Sequence, residues 1–160
     1  MKTEDTCPTH RRNASANELK HLLVPVDFSD DADPALKCAL MMAHRFEGEI
    51  TLLAVIPDDH VSFEYGESQA IALREQQMER AHRKLSRLAE ATLFGIRYTL
   101  IIRIGKPFEE IIRAASETSA DLIILSNPER SGATDAELAG TVEQVVRYAA
   151  CPVLVMPLAG

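Results

Sequence analysis

Two short segments of this chain carry groups that could bind a nucleotide. Asp27 directly follows the apolar run of residues 22–26, and its carboxylate could accept hydrogen bonds from a ribose or an adenine edge. Gly140 and Thr141 stand between a polar loop and a short helical pattern. There they could offer backbone N–H groups and a hydroxyl to a phosphate or to a metal-bound oxygen. Both segments also have an ordinary structural interpretation, because Asp27 and Thr141 could simply cap helices.

The other side chains that could bind a ligand or take part in catalysis have simpler interpretations. Arg130 and Ser131, in the polar loop, could bind an anion or could be solvated. His44 and His82 have no second ligand at a metal-binding spacing, so we expect surface histidines and no metal site. Three cysteines form no CxxC pair and are not catalytic candidates: Cys7, Cys38 and Cys151. No Ser-His-Asp set and no carboxylate pair is visible, and the sequence therefore favours a protein that is not an enzyme.

Five β-prone runs must position these groups, and they alternate with four helical patterns. The predicted strands are residues 21–27, 50–56, 97–104, 121–125 and 153–156. The predicted helices cover residues 34–46 with Gly48 as the stop, about 69–91, a segment starting at Pro107, and 141–149. The third strand alternates and carries two arginines, which indicates an edge strand with one face in water. The basic residues of 74–87 are interleaved with acids, as Glu79 and Arg83 are, and indicate a solvated helix face.

This alternation predicts an α/β fold, a doubly wound five-stranded parallel sheet with helices on both faces. Ligands of such sheets bind beyond the carboxyl ends of the strands, where the strand order reverses. We expect the first and fourth strands to flank that point, so that Asp27 lies beside the loop of residues 126–141. Gly140 and Thr141 would then stand at the head of the last helix.

Length and charge narrow the class of protein further. The 160 residues suit one domain over residues 20–160, preceded by a flexible extension over residues 1–19. The net charge of −7 argues against a nucleic-acid partner. No apolar run reaches the roughly 20 residues of a membrane span. The polar amino terminus lacks the apolar stretch of a secretory signal, and we expect a cytoplasmic protein with no membrane partner.

With these segments laid out, the chain resembles the universal stress protein family. The similarity covers residues 21–157, and five segments carry it in the right order: 22–29, 50–55, 105–107, 120–124 and 140–155. The resemblance implies strand order 3-2-1-4-5 and a homodimer formed through the last strand, here Val153, Leu154, Val155 and Met156. Some family members bind ATP, with Val26 and Val55 matching the positions that line adenine. A bound nucleotide would contact Pro25, Val26, Asp27, Val55, Leu125, Ser126, Arg130, Gly140, Thr141 and Val142.

The chain departs from the family's ATP loop, which is written Gly, two residues, Gly, nine residues, then Gly followed by Ser or Thr. Ser126 and Glu129 replace the first two glycines, and ten residues separate Glu129 from Gly140. A carboxylate about 5 Å from a phosphate charge costs on the order of 3 kcal/mol at an effective dielectric near 20. That cost alone would weaken binding roughly a hundredfold, although Arg130 could offset part of it.

We therefore expect a non-enzymatic stress-response or regulatory factor that acts as a homodimer and has a degenerate nucleotide loop. No cofactor is certain, ATP with magnesium is possible, and an unidentified protein partner is possible. Two alternatives stay open. One is an ATP-binding switch in which the nucleotide orders the loop of residues 126–141. The other is a slow ATP hydrolase that uses Asp27 and Thr141.

Overall fold

The computed structural model describes residues 19–28, 34–58, 67–127 and 135–157. The strands are β1 (His21–Val26), β2 (Glu49–Ile56), β3 (Tyr98–Ile104), β4 (Leu122–Ser126) and β5 (Val153–Met156). The helices are α1 (Pro34–Phe46), α2 (Glu67–Thr92), α3 (Pro107–Glu117) and α4 (Asp135–Tyr148). The predicted amino-terminal extension, apart from residue 19, lies outside the described residues.

The five strands form one parallel sheet in the order β3-β2-β1-β4-β5. This confirms the predicted fold class and the strand order that the family resemblance implied. The chain starts in the middle of the sheet, runs outward to β3, and then returns past β1 to β4. The order therefore reverses between β1 and β4, where Leu22 is paired with Leu122 and Leu23 with Ile123.

Two apolar cores cover the two faces of the sheet. Alternate residues of β1 point to opposite faces, so Leu22 and Val24 pack in the core beneath α1 and α2. Leu23 packs in the core beneath α3 and α4, together with Ile123. Burial on both faces explains why the central strands are apolar almost without interruption.

Strand β3 lies at one edge of the sheet, as predicted, but the face expected to see water is exposed only in part, at Thr99 and not at Ile101. Leu100 and Ile102 pack against the first core, as expected. Ile101, on the opposite face, packs against the second core. The reason is that α3 packs across the neighbouring strand β2, and the core beneath it extends to Ile101, while Glu117 of α3 pairs with Arg103.

Helix α1 is ended by Glu47, whereas the sequence predicted that Gly48 would end it. Glu47 adopts the left-handed conformation that ends the helix, with φ of 53°. Gly48 follows, and a Cβ at that position would lie 2.8 Å from the carbonyl oxygen of Leu19 and 3.1 Å from that of Lys20. Glycine is needed here because the chain entering β1 passes too close for any side chain.

Candidate functional site

The carboxyl ends of β1 and β4 meet where the strand order reverses. Carrying their register forward places Asp27 beside Asn127, just beyond the two strands. Ser126, the last residue of β4, accepts a hydrogen bond on its Oγ from the backbone N–H of Ala35, at 3.2 Å. Ala35 lies in the first turn of α1, whose N–H groups have no partner within the helix. The hydroxyl that replaces the family's first loop glycine thus contacts the start of α1.

The other predicted residues on these strands divide between core and surface. Val26 and Leu125 are buried, with 8% and 4% of their surface exposed. Pro25 and Val55 are half-buried, whereas Asp27 is exposed. Of this group, Asp27 and Val55 are the residues that face open space at the carboxyl edge, by which we mean the end of the sheet where the parallel strands finish.

The predicted position of Gly140 and Thr141 at the head of the last helix was wrong. Helix α4 already begins at Asp135, so both residues lie inside it. The sequence of residues 136–139, Ala-Glu-Leu-Ala, consists of strong helix formers, which outweigh the cost of about 1 kcal/mol for a glycine in a helix interior. Val142, the next residue, packs against the second core. The predicted contact residue Arg130, and Glu129 beside it, lie outside the described residues.

A cavity of about 520 Å³ opens at the carboxyl edge, on the side of β2 and α2. It shares Asp27 and Val55 with the predicted site, and it is displaced from β4 towards the first core. Its walls come from the ends of β1 and β2 and from the middle of α2: Asp27, Phe28, Val55, Ile56, Pro57, Gln77, Arg80, Ala81, Arg83, Lys84 and Arg87.

Phe28 links the two walls of this cavity. Its backbone is in the left-handed region, with φ of 59°, which is rare for an aromatic residue. This conformation turns the chain sharply after β1 and lets the ring pack against the first core. The Lys84 ammonium lies 5.4 Å from the centre of the ring, within the range of a cation–π contact. Sequence reasoning missed Phe28, because nothing in the local pattern signals a positive φ at a phenylalanine.

The basic residues of α2 were only partly understood from the sequence. The predicted contact between Glu79 and Arg83 is present at 3.8 Å, and both side chains are exposed. However, Arg80, Arg83, Lys84 and Arg87 also line the cavity, so they are more than a solvated face. Their spacing of three and four residues was the available signal, but the sequence alone did not place α2 beside the end of β1.

Comparison with known proteins settles the relationship. The universal stress protein family, by its sequence profile, matches residues 18–157. The chain belongs to this family. Its β1–β4 junction and its α2 cavity are therefore features of a universal stress protein, within the fold of that family.

Two archaeal relatives span most of the chain. Universal stress protein MJ0531 of Methanocaldococcus jannaschii is 28% identical over 143 residues, which cover 88% of this chain and 83% of that protein. The solved structure of MJ0577 from the same organism is 27% identical and has a TM-score of 0.77. It covers 90% of this chain, which in turn covers 99% of that structure.

Two more distant structures contain nucleotides. One is a universal stress protein in complex with cAMP, with 17% identity, a TM-score of 0.64, and coverage of 89% of this chain and 100% of that one. The other is the universal stress protein from Archaeoglobus fulgidus in complex with dAMP, with 18% identity and a TM-score of 0.60. The coverage in that case is 85% of this chain and 96% of the other. At these identities the likeness is one of fold.

The two described cysteines of this universal stress protein have a structural role. Cys38 packs against the first core and Cys151 against the second, as expected for small apolar residues. Burial, with a smaller contribution from the Asp121 carboxylate, raises the pKa of the Cys151 thiol. This opposes the formation of a nucleophilic thiolate. Over the described ranges, no three histidine, cysteine or acidic side chains form a group that could hold a metal ion.

Two further observations concern the surface. In the part of the chain that the structure describes, every helix is too short or too polar to cross a membrane. Strand β5 is the last strand of the sheet on its side and pairs with β4. All four of its residues are apolar and half-buried: Val153, Leu154, Val155 and Met156.

Proposed function

We propose that this universal stress protein is a non-enzymatic regulatory factor that acts as a homodimer through β5. The observation that carries the proposal is the outer edge of β5, where four consecutive apolar residues end the sheet. An exposed strand edge offers backbone N–H and C=O groups to another chain, and proteins usually cover such edges. Pairing with a second copy would satisfy this edge and bury the apolar side chains at once.

Val155 is the residue of β5 best suited to test the dimer. Val153 packs against the second core, and Leu154 and Met156 pack against the first. Val155 is half-buried and belongs to neither group, so a substitution there should leave the cores intact. Thr99 on β3, at the opposite edge of the sheet, is exposed and provides a matched control.

We expect sedimentation at micromolar concentration to give twice the chain mass of 17.7 kDa for the unmodified protein. Val155→Lys should shift the protein to the monomer, because burying a lysine ammonium between two apolar strands has a large free-energy cost. Thr99→Lys should remain a dimer. A monomeric unmodified protein, or a Val155→Lys variant that still dimerises as tightly, would refute this interface.

The cavity supports a second function, the reversible binding of a nucleotide. Its volume of about 520 Å³ falls within the range of roughly 300–1,000 Å³ that is usual for small-ligand sites. Val55, Ile56 and Pro57 offer an apolar wall to a base, and the Asp27 carboxylate can accept hydrogen bonds from amino or hydroxyl groups. The cAMP and dAMP complexes of proteins with this fold add weight to the proposal.

Calorimetric titration with ATP and magnesium, AMP, cAMP and dAMP tests this function. We expect binding of at least one nucleotide, with no release of phosphate from ATP, since the site would hold and not cleave its ligand. Asp27→Ala should weaken binding about tenfold, the usual effect of losing one hydrogen bond to a charged group. Asp58→Ala is the control, because the Asp58 carboxylate lies beyond the cavity lining, in an ion pair with Arg74 at 2.7 Å.

Binding weaker than about a millimolar Kd for all four nucleotides leaves only about 4 kcal/mol of affinity and excludes a regulatory role for the cavity. Steady release of phosphate that disappears in Thr141→Ala at unchanged stability would instead establish the hydrolase alternative.

A further inference from the structure

The cavity wall contributed by α2 is strongly basic, although the protein is acidic. The chain has 17 lysines and arginines and a net charge of −7, yet four of these cations line this one cavity. Gln77, Arg80, Lys84 and Arg87 recur every three or four residues and therefore form one stripe along the helix. That stripe runs beside Ala81 and Leu85, which anchor α2 on the sheet. The cations are thus held at the cavity by the same packing that fixes the helix.

These cations are weakly neutralised by the part of the chain that is described. Arg83 has Glu79 at 3.8 Å, and Lys84 lies over the Phe28 ring. Arg80 and Arg87 form no ion pair with any described residue. Among the described residues that line the cavity, Asp27 is the one acid. Arg80 and Lys84, like Arg83 and Arg87, are like charges one helical turn apart, which repel each other. An anion in the cavity would relieve this repulsion.

We propose that the α2 wall of the cavity is a phosphate-binding site. Arg80, Lys84 and Arg87 would bind the phosphate oxygens of a phosphorylated small molecule, whose organic part contacts Phe28 and the ends of the strands. Guanidinium groups suit this role, because their planar N–H donors can bind two phosphate oxygens at once. For the organic part, the inference rests on the nucleotide binding proposed above. For the phosphate it stands on the cations alone.

This placement differs from the one expected from the sequence, in which the phosphates lie at Gly140 and Thr141. Both of those residues are inside α4, where the backbone N–H groups point along the helix axis to the preceding turn. They are therefore not free to cradle a phosphate as a loop would. The cavity instead brings Arg80, Lys84 and Arg87, which form no ion pair with a described residue, to the carboxyl ends of the strands, on the other side of β1.

The shape of the site favours a compact ligand over a nucleic acid. A cavity of about 520 Å³ admits a mononucleotide or a short phosphate chain, whereas nucleic-acid sites need an extended basic surface.

Two probes separate the phosphate from the nucleoside: sodium tripolyphosphate and ATP, each titrated calorimetrically at low salt and at about 0.15 M salt. We expect both to bind more weakly as salt rises, because the contacts are between exposed charges. The double variant Arg80→Ala/Arg87→Ala should lose about tenfold in affinity for each arginine. Lys84→Gln keeps most of the side-chain length and should lose a similar factor on its own.

Arg45→Ala is the matched control, since Arg45 is an exposed arginine in the last turn of α1. It lies near the amino ends of the strands, away from the cavity. This variant should bind both probes as the unmodified protein does, and circular dichroism should show all variants folded. Tripolyphosphate binding that needs Arg80 and Arg87 supports the inference even if no nucleotide binds, in which case only the nucleotide proposal fails. Equal affinity in the double variant, an equal loss in Arg45→Ala, or no binding of either probe overturns it. So does a loss of ATP affinity in Thr141→Ala that the double variant does not share.

Discussion

The polar groups at the two ends of the parallel strands are satisfied differently. We call the end where the strands begin the amino edge and the end where they finish the carboxyl edge. At the amino edge, the Asp121 carboxylate accepts hydrogen bonds from the backbone N–H groups of Lys20 and His21, at 3.0 and 2.9 Å. The Asp121 N–H in turn donates to the His21 carbonyl at 2.8 Å. At the carboxyl edge, Arg80 and Arg87 border a cavity without an acidic partner among the described residues. Among the described residues, the chain itself satisfies the polar groups at the amino edge, whereas the charges of Arg80 and Arg87 at the carboxyl edge have no acidic partner.

This difference explains how one sheet can be held firmly at one end and bind a ligand at the other. The contacts at the amino edge join residues about 100 positions apart and fix β4 against the start of β1. With that junction fixed, the strand ends at the far edge are held in register without any help from a ligand. Cations without an acidic partner among the described residues, such as Arg80 and Arg87, can then be tolerated at the carboxyl edge, where parallel sheets bind their ligands. The following substitutions test this division of roles.

Asp121→Ala should have the largest effect on stability. It removes one carboxylate that accepts two backbone hydrogen bonds, and bonds to charged groups contribute about 1.5–3 kcal/mol each. Because the site is half-buried, we expect a loss of about 3 kcal/mol in the free energy of unfolding, measured by urea titration at fixed protein concentration. Asp58→Ala, which breaks the exposed ion pair with Arg74, should cost less than about 1 kcal/mol. Equal losses in the two variants would mean that the amino edge is not specially stabilised.

Gly48→Ala should be the next most damaging change. The added Cβ would lie 2.8 Å from the Leu19 carbonyl oxygen, and the obstructing atom is backbone, which cannot rotate away. Overpacking of this kind typically costs about 1–3 kcal/mol, and we expect a value near 2 kcal/mol in the same urea titration. A loss below about 0.5 kcal/mol, the usual range for surface substitutions, would show that the chain entering β1 can move aside.

The fold could be predicted from the sequence because its causes are local and repeated. Apolar runs that end on turn residues, alternating with helical patterns, leave a doubly wound parallel sheet as the simplest arrangement. The prediction failed where a long-range contact decides the outcome. Ile101 is partly covered because the core beneath α3 extends from β2 to β3, and Gly48 is required because Leu19 passes beside it. Neither fact is visible in the local sequence around these residues.

The candidate site was less predictable for the same reason. The sequence indicated Asp27 because it follows the first strand, and the family resemblance indicated Val55; the structure brings both to one cavity. It did not indicate Phe28 or Arg80, since their proximity depends on how α2 crosses the end of β1. It misplaced Gly140, because a glycine followed by a threonine is typical of a helix start, whereas this helix begins at Asp135.

Gly140→Ala separates a helical glycine from a phosphate-cradling one, and it complements Gly48→Ala. A Cβ at Gly140 would meet no described atom within 4 Å, and the residue lies inside α4. Alanine is a better helix former than glycine, so the free energy of unfolding should rise by about 0.5–1 kcal/mol. Nucleotide affinity should stay unchanged. A destabilised protein, or one whose ATP affinity falls, would indicate that Gly140 belongs to a phosphate-binding loop, as the sequence suggested.

The smallest expected effect on stability comes from the cavity arginines. Arg80→Ala/Arg87→Ala removes two exposed cations that have no described acidic partner, so the free energy of unfolding should change by less than about 0.5 kcal/mol. The sign should be towards greater stability at low salt, because each substitution relieves repulsion from a like charge one turn away, worth about 0.2–0.5 kcal/mol. Urea titrations at low and high salt would measure this, and the gain should vanish at high salt as screening removes the repulsion. A loss of more than about 1 kcal/mol, the upper range for an exposed ion pair, would mean that the chain neutralises these arginines itself. The carboxyl edge would then be as complete as the amino edge, and the contrast between them would disappear.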